Sequence, residues 1–113
     1  MKVKRGDIFW INFSKREGSR VIYGTRPVII VSNDIANHFS PVVSVVPVTQ
    51  QNKKPLPSHV RIAGYGLATI STALTEQVQT VDKIQLLDKI GSLANTDKLQ
   101  EIDQCLRLQL GVA

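Results

Sequence analysis

The sequence has little of what builds disulfides and metal sites. It contains one cysteine, Cys105, and two histidines, His38 and His59, among 113 residues. A single cysteine cannot form an intramolecular disulfide, which favours a reducing compartment such as the cytoplasm. No close-spaced set of cysteines, histidines and acids has the pattern of a metal site. We therefore expect a cytoplasmic protein without a bound metal or cofactor.

Long apolar runs and aromatic residues are also scarce. No stretch approaches the roughly 20 residues that span a bilayer, and no apolar signal core follows the basic N-terminus. One Trp, two Tyr and three Phe leave Val, Ile and Leu to form the core. A sheet face with several base-stacking aromatics, as in many RNA-reading modules, is excluded. We expect a single domain, residues 1–113, with no membrane segment.

Positive charge is present and unevenly placed. The net charge is +5, with a pI near 9.7. Residues 1–61 hold ten lysines and arginines against three acids, whereas residues 62–113 hold four against six. A basic half of this kind suits a polyanion such as nucleic acid. The alternative is a soluble protein that merely has a basic surface.

Short β-branched segments predict a mainly β fold. Pro47 lies inside one of these segments and implies an edge strand or a bulge there. Polar residues predict loops over Ser14–Thr25 and Gln50–Pro57. Strands are expected at Asp7–Phe13, Pro27–Ser32, Val42–Thr49, His59–Ile62, Thr69–Leu74 and Gln77–Val81.

Two helices are expected as well. Asn33 can cap a short helix that reaches Phe39, and Asn95 or Thr96 can cap a C-terminal helix that reaches about Leu110. The apolar face of the C-terminal helix is predicted to consist of Leu99, Ile102, Leu106 and Leu110.

The C-terminal helix also holds a possible ion pair, because Asp103 and Arg107 lie four residues apart. Short strands, polar loops and a terminal helix together predict a small, strongly curved, barrel-like β-sheet with helices packed on it. Such an architecture does not by itself identify a function.

Two residues are candidates for phosphate chemistry. Arg26 lies where a basic loop meets a buried strand, and Pro27 restrains it to an extended conformation. An arginine fork matches a phosphate. Thr49 ends the next long strand. Taken alone, each is more often structural, but both would face one phosphate if their strands are neighbours.

A second mechanism would use two imidazoles as acid and base. Nothing in the sequence brings His38 and His59 together. Glu76 and Asp82 flank a short predicted strand and do not form an obvious carboxylate dyad.

Six blocks of sequence occur in a recognisable order. They are KRGDIFW from Lys4, GTRPVIIVSND from Gly24, VVPVT ending at Thr49, PSHV from Pro57, EQVQTVDK from Glu76 and IGSL from Ile90. With the final amphipathic helix, this series resembles the MazF/PemK family of endoribonuclease toxins over essentially the whole chain.

The resemblance implies a fold, an activity and partners. The fold is a small SH3-like β-barrel (MazF/CcdB-like) with a C-terminal helix, and the protein forms a homodimer. The activity is sequence-specific, metal-independent cleavage of single-stranded RNA by the RNA's own 2′-hydroxyl, which leaves a 2′,3′-cyclic phosphate and a 5′-hydroxyl. Arg26 would act in acid–base chemistry and phosphate stabilisation, and Thr49 would hold the scissile phosphate. A cognate antitoxin with an acidic, disordered C-terminal segment would bind the basic face.

Candidate RNA contacts lie mostly in the loops that flank Arg26 and Thr49. Two of the surrounding positions depart from the family pattern, since Arg20 stands where an acid is usual and Gln79 where an arginine is common. The candidate contacts are Ser19, Arg20, Lys53, Lys54, Pro57, His59 and Gln77.

Two other functions compete with RNA cleavage. A non-catalytic toxin of the same fold poisons DNA gyrase by binding it, as CcdB does, and would not need Arg26 or Thr49. A relative that binds RNA or protein without cleaving is the third possibility. The presence of both residues favours the ribonuclease.

Overall fold

A computed structural model describes residues 2–50 and 56–113 of the chain. The helices in this part are α1 (Asp34–Phe39) and α2 (Asp97–Leu110), and single 3-10 turns occur at Thr75–Gln77 and Lys83–Gln85. The strands are β1 (Asp7–Phe13), β2 (Gly24–Ile30), β3 (Val42–Thr49), β4 (His59–Ile62), β5 (Ser71–Leu74), β6 (Gln79–Asp82) and β7 (Lys89–Ser92).

The strands form one strongly curved antiparallel sheet around β3. Its order is β4-β5-β3-β2-β1-β7, and β6 also pairs with β3. One edge of β3 faces β2, while the other pairs with β6 over Val42–Val45 and then with β5 over Val48–Thr49. Because β3 pairs with two different strands along one edge, the sheet bends sharply there, and β6 comes to lie opposite β1. The predicted fold class, a curved barrel-like sheet with a C-terminal helix, is confirmed.

The prediction that Pro47 marks an edge or a bulge is wrong. Pro47 faces Val28 in an unbroken register between β2 and β3. The hydrogen bond from the Val31 N–H to the Ser44 carbonyl sets the alternation of this ladder, so the nitrogen of Pro47 points away from β2. It points to the place where the other neighbour of β3 changes from β6 to β5, where no ladder bond is needed.

Other element bounds differ from the predictions in instructive ways. The second strand begins at Gly24 inside the predicted loop, and the strands predicted at 69–74 and 77–81 begin two residues later. The sequence did not predict β7, because its four residues include Gly91 and few strand formers. A Cβ atom at Gly91 would overlap the carbonyl oxygen of Tyr65, so glycine allows the 64–66 turn to pack against this strand.

The interior consists of two apolar clusters on opposite sides of the sheet. Along β2, Ile29 joins one cluster, whereas Val28 and Ile30 join the other. This explains why the sequence of β2 is apolar without alternation, as expected for a strand that is buried on both faces. Leu99 and Ile102 of α2 cover the first cluster. The second cluster includes Ile11 of β1, Val43 of β3 and Val81 of β6.

The C-terminal helix has the predicted bounds, but one leucine of its predicted apolar face is exposed. Thr96 accepts a hydrogen bond from the Leu99 N–H, and Gly111 ends the helix with a φ of +69°, the usual conformation of a glycine C-cap. Leu106 is half-buried, but Leu110 is 59% exposed and does not belong to the predicted apolar face. No helix in residues 2–50 and 56–113 is long and apolar enough to cross a membrane.

The predicted pair of Asp103 with Arg107 does not form. Asp103 instead pairs with Arg5 of the N-terminal segment through both carboxylate oxygens. The Nε of Arg5 donates to the Val31 carbonyl at 3.1 Å, which holds the planar guanidinium facing Asp103. A bidentate arginine pair of this kind is more favourable than a helix-surface pair, and it ties α2 to the start of β1.

Candidate active site

The sheet brings Arg26 and Thr49 into direct contact. Because β2 and β3 are neighbours, the Nη1 of Arg26 donates a hydrogen bond of 3.1 Å to the Oγ1 of Thr49. The Nε of Arg26 donates to the Tyr23 carbonyl at 3.0 Å. The condition set for a shared phosphate, that the strands of Arg26 and Thr49 are neighbours, is therefore met.

The charge of Arg26 has no counter-ion in the described part of the chain. None of the ion pairs among residues 2–50 and 56–113 includes Arg26. Thr49 is only 1% exposed, whereas Arg26 is half-buried. The threonine hydroxyl therefore orients the guanidinium from inside, and the fork remains able to meet an anion from outside.

His59 and Glu76 form a cluster that the sequence did not predict. The Nε2 of His59 lies 3.1 Å from Oε2 of Glu76, and the Ser58 hydroxyl donates to Oε1 at 3.0 Å. The Leu56 N–H donates to Nδ1 of His59 at 3.2 Å, so the neutral ring carries its proton on Nε2. The cluster joins the segment before β4 to the 3-10 turn at Thr75–Gln77.

No signal in the sequence links Glu76 to His59, since 17 residues separate them. Only the pairing of β4 with β5 brings the two segments together. His38 lies on α1, where its ring meets Phe39 edge-on at 4.5 Å. The two histidines thus have different neighbours, and the structure offers no support for a two-imidazole mechanism.

Glu76 titrates abnormally because of this cluster. Burial raises the pKa of its carboxyl, but hydrogen bonds from His59, its own backbone N–H and Ser58 outweigh burial. The pKa of Glu76 therefore lies below its usual value of 4.5.

Glu76→Gln is expected to lower stability at neutral pH by about 1 kcal/mol and to leave it almost unchanged in acid. A carboxyl whose pKa is depressed in the folded state stabilises the fold above its unfolded pKa, and this contribution is lost as the pH falls through the folded pKa. Urea unfolding of both proteins at pH 7, 5 and about 3 measures the difference. Glu17→Gln, at an exposed acid between β1 and β2, is the matched control. A wild-type advantage that stays constant down to pH 3 would contradict this account.

Gln77 lies beside Glu76 and holds the other loop of the site. Its Oε1 accepts a hydrogen bond of 2.6 Å from the Ile22 N–H. Ile22 precedes Tyr23, the residue whose carbonyl accepts from Arg26. One 3-10 turn therefore braces both segments that flank the Arg26–Thr49 pair. The predicted contact of Gln77 with RNA remains a prediction.

The other predicted RNA contacts differ in their exposure, and two of them lie outside the described residues. Ser19, Arg20 and Pro57 are exposed, and the first two belong to the segment between β1 and β2. His59 is instead largely enclosed, with its side chain 4% exposed. Lys53 and Lys54 lie outside the described residues.

Three comparisons place the chain among known proteins. Residues 4–110 match the family described as PemK-like, MazF-like toxin of type II toxin–antitoxin system. Endoribonuclease EndoA of Bacillus subtilis (strain 168) is 40% identical over 115 residues, which cover 99% of this chain and 97% of that protein.

Solved structures agree with the fold. MazF from Deinococcus radiodurans has a TM-score of 0.82 at 23% identity, with 99% of each chain covered. An endoribonuclease in complex with its cognate antitoxin from Mycobacterial species has a TM-score of 0.75 at 23% identity, covering 99% of this chain and 96% of that one. At these identities the likeness concerns the fold alone. The family match and the Bacillus subtilis relative carry the assignment: this chain belongs to the PemK-like, MazF-like toxins of type II toxin–antitoxin systems.

Proposed function

We propose that this protein is an endoribonuclease toxin that cleaves single-stranded RNA at specific sequences, with the scissile phosphate at Arg26 and Thr49. The observation that carries the proposal is the hydrogen bond between these two side chains at the meeting of β2 and β3. It occurs in a chain that is 40% identical to a protein named as an endoribonuclease.

The proposed reaction uses the RNA's 2′-hydroxyl as the nucleophile. The 2′ oxygen loses its proton and bonds to phosphorus, while the bond from phosphorus to the 5′ oxygen breaks and that oxygen gains a proton. The products are a 2′,3′-cyclic phosphate and a 5′-hydroxyl. The reaction needs the phosphate held in line and its growing negative charge met by fixed donors. It requires neither a protein nucleophile nor a metal ion.

Arg26 is placed to stabilise the transition state. Thr49 and the Tyr23 carbonyl hold its guanidinium from two sides, so little reorganisation is needed when charge develops on the phosphate. An arginine keeps its proton at neutral pH, which favours charge stabilisation by Arg26 over proton abstraction. Thr49 is proposed to position this donor and to help hold the phosphate.

The proposed partners follow from the family and from charge. A cognate antitoxin with an acidic C-terminal segment would cover the basic face and block RNA, folding as it binds. An endoribonuclease of this fold from Mycobacterial species is described in complex with its cognate antitoxin, and a MazF from Deinococcus radiodurans together with MazE. The net positive charge of residues 1–61 suits both ligands. We also propose a homodimer that acts in the cytoplasm.

The gyrase-poison alternative is not favoured. The Bacillus subtilis relative, at 40% identity, is named as an endoribonuclease. The Arg26–Thr49 contact, which a binding poison does not need, has a direct use in RNA cleavage.

The purified protein is expected to cut a long single-stranded RNA in the presence of EDTA. The new 5′ ends should be hydroxyls, which polynucleotide kinase labels without prior phosphatase treatment. Double-stranded RNA of the same sequence serves as the control and should remain intact. Intact single-stranded RNA across several substrates, together with inhibition of gyrase supercoiling, would reverse the ranking of the two functions.

A further inference from the structure

A cavity of about 520 Å³ lies between β1 and β6, where the curved sheet brings these strands face to face without pairing them. The segment between β1 and β2 borders it on one side, and the 3-10 turn at Thr75–Gln77 borders it on another. Pockets of a few hundred Å³ are typical of sites for small organic groups. Nothing in the reaction at Arg26 requires this cavity.

The walls of the cavity are rich in side-chain amides. Asn12, Gln77, Gln79 and Gln85 all contribute to the lining. Two of these amides have their oxygens occupied, since Gln77 accepts from the Ile22 N–H and Gln85 from the Asp82 N–H. The Nε2 of Gln79 donates to the Gln77 carbonyl at 3.3 Å.

Two amides therefore keep an oxygen that can accept from a ligand. Within residues 2–50 and 56–113, the Oε1 of Gln79 and the side chain of Asn12 make no hydrogen bond. An amide carries both donors and acceptors, and it pairs with the edge of a nucleobase in the way that asparagine and glutamine read adenine.

Phe13 is the one aromatic residue among the lining residues that the structure describes. It packs on the second apolar cluster and is half-buried, so its position is held from behind. Unstacked bases of single-stranded RNA bind to proteins by stacking on such rings and by hydrogen bonding along their edges. The ring of Phe13 can supply the stacking, and the neighbouring amides can supply the hydrogen bonds to the edge of the base.

The cavity shares lining residues with the candidate active site. Ile22 and Gln77 line the cavity, and their mutual hydrogen bond fixes the segment that leads through Tyr23 to Arg26. A base in the cavity would therefore belong to a nucleotide close to the scissile phosphate. The charged lining residues are Arg16 and Glu76, a balance that suits a neutral base better than an acidic peptide.

We infer that this cavity is a nucleobase subsite, in which Phe13 stacks one base of the RNA and the amide of Gln79 reads its edge. The inference rests on the proposed RNA cleavage and adds a determinant of its sequence preference.

The test compares cleavage of a randomised single-stranded RNA pool by the wild type, Gln79→Ala and Phe13→Leu, with the new ends sequenced. Both variants should weaken the preference at the same single nucleotide position, Gln79→Ala by about tenfold. Cleavage at sequences that lack the preferred base should stay within about threefold of wild type, because those sequences do not use the contact that is removed. Matched controls are Gln104→Ala on exposed α2 and Phe39→Leu on α1, where Phe39 is 79% exposed.

Two outcomes overturn the subsite. One is a wild type that cleaves RNA and two variants that show the same sequence preference as the wild type. This outcome counts against the subsite even if the variants bind an acidic antitoxin peptide more weakly. The other is a uniform loss of cleavage at all sequences with an unaltered melting temperature. If the wild type cleaves no RNA, the proposed function fails instead. Binding of 2′-O-methyl oligonucleotides then tests the subsite by itself, with weaker and less selective binding by both variants expected.

Discussion

Replacing Arg26 by alanine is expected to slow RNA cleavage by about a hundredfold or more, because removal of one preorganised donor to a developing oxyanion costs about that much. The loss should fall on the rate of the chemical step, measured in single turnover with excess protein, and far less on RNA binding. The variant should still fold, because the Arg26 side chain is only half-buried and its loss removes two hydrogen bonds, to the Tyr23 carbonyl and to Thr49. Thermal unfolding of the variant checks this.

Two further variants sharpen the Arg26 experiment. Arg26→Lys keeps the charge but loses the planar fork, so it should recover only a small part of the rate. Arg61→Ala removes an exposed arginine of β4, and it should cleave nearly as fast as wild type. Wild-type rates in Arg26→Ala, or equal losses in Arg26→Ala and Arg61→Ala, would mean that Arg26 serves only to tie its loop.

Gly66→Ala is expected to cost about 3 to 5 kcal/mol of folding stability, although it adds only a single methyl group. Gly66 has a φ of +89°, which strains any residue with a Cβ. The added Cβ would also overlap the carbonyl oxygen of Ile90 in β7. Since that atom belongs to the backbone of a paired strand, it cannot yield cheaply. The melting temperature should fall by roughly 10 °C or more.

Gly64→Ala is the matched control for this substitution. Gly64 has nearly the same φ, +88°, but a Cβ there would meet nothing within 4 Å. It should therefore show the cost of backbone strain alone, about 1 to 2 kcal/mol. Equal destabilisation by the two substitutions in urea unfolding would show that close packing of the 64–66 turn on β7 contributes nothing.

Much of the fold was predictable because its signals are local. The bounds of β1, β3 and β4 match the prediction residue for residue. These strands have β-branched or alternating sequences, and polar loops or turn residues stop them on either side. The helices were equally clear, since Asn33 caps the first as predicted and Thr96, one of the two predicted candidates, caps the second.

The features that were not predicted depend on neighbours distant in sequence. Pro47 is acceptable in a central strand only because two different strands share the far edge of β3. The short β7 forms because β1 offers it a partner. Asp103 pairs with Arg5 and not with the predicted Arg107, because the fixed guanidinium of Arg5 forms two hydrogen bonds with its carboxylate.

The sequence by itself determined the class of fold, because strand propensity, capping and the restraint by Pro27 act within a few residues along the chain. It also offered Arg26 and Thr49 as candidates, which the resemblance of the whole chain to the MazF/PemK family favoured over a purely structural role. Only the tertiary structure decided that Arg26 meets Thr49, that Glu76 meets His59 and that a cavity opens between β1 and β6. Each of these depends on strand register and sheet curvature, which arise when distant segments bury their apolar faces together.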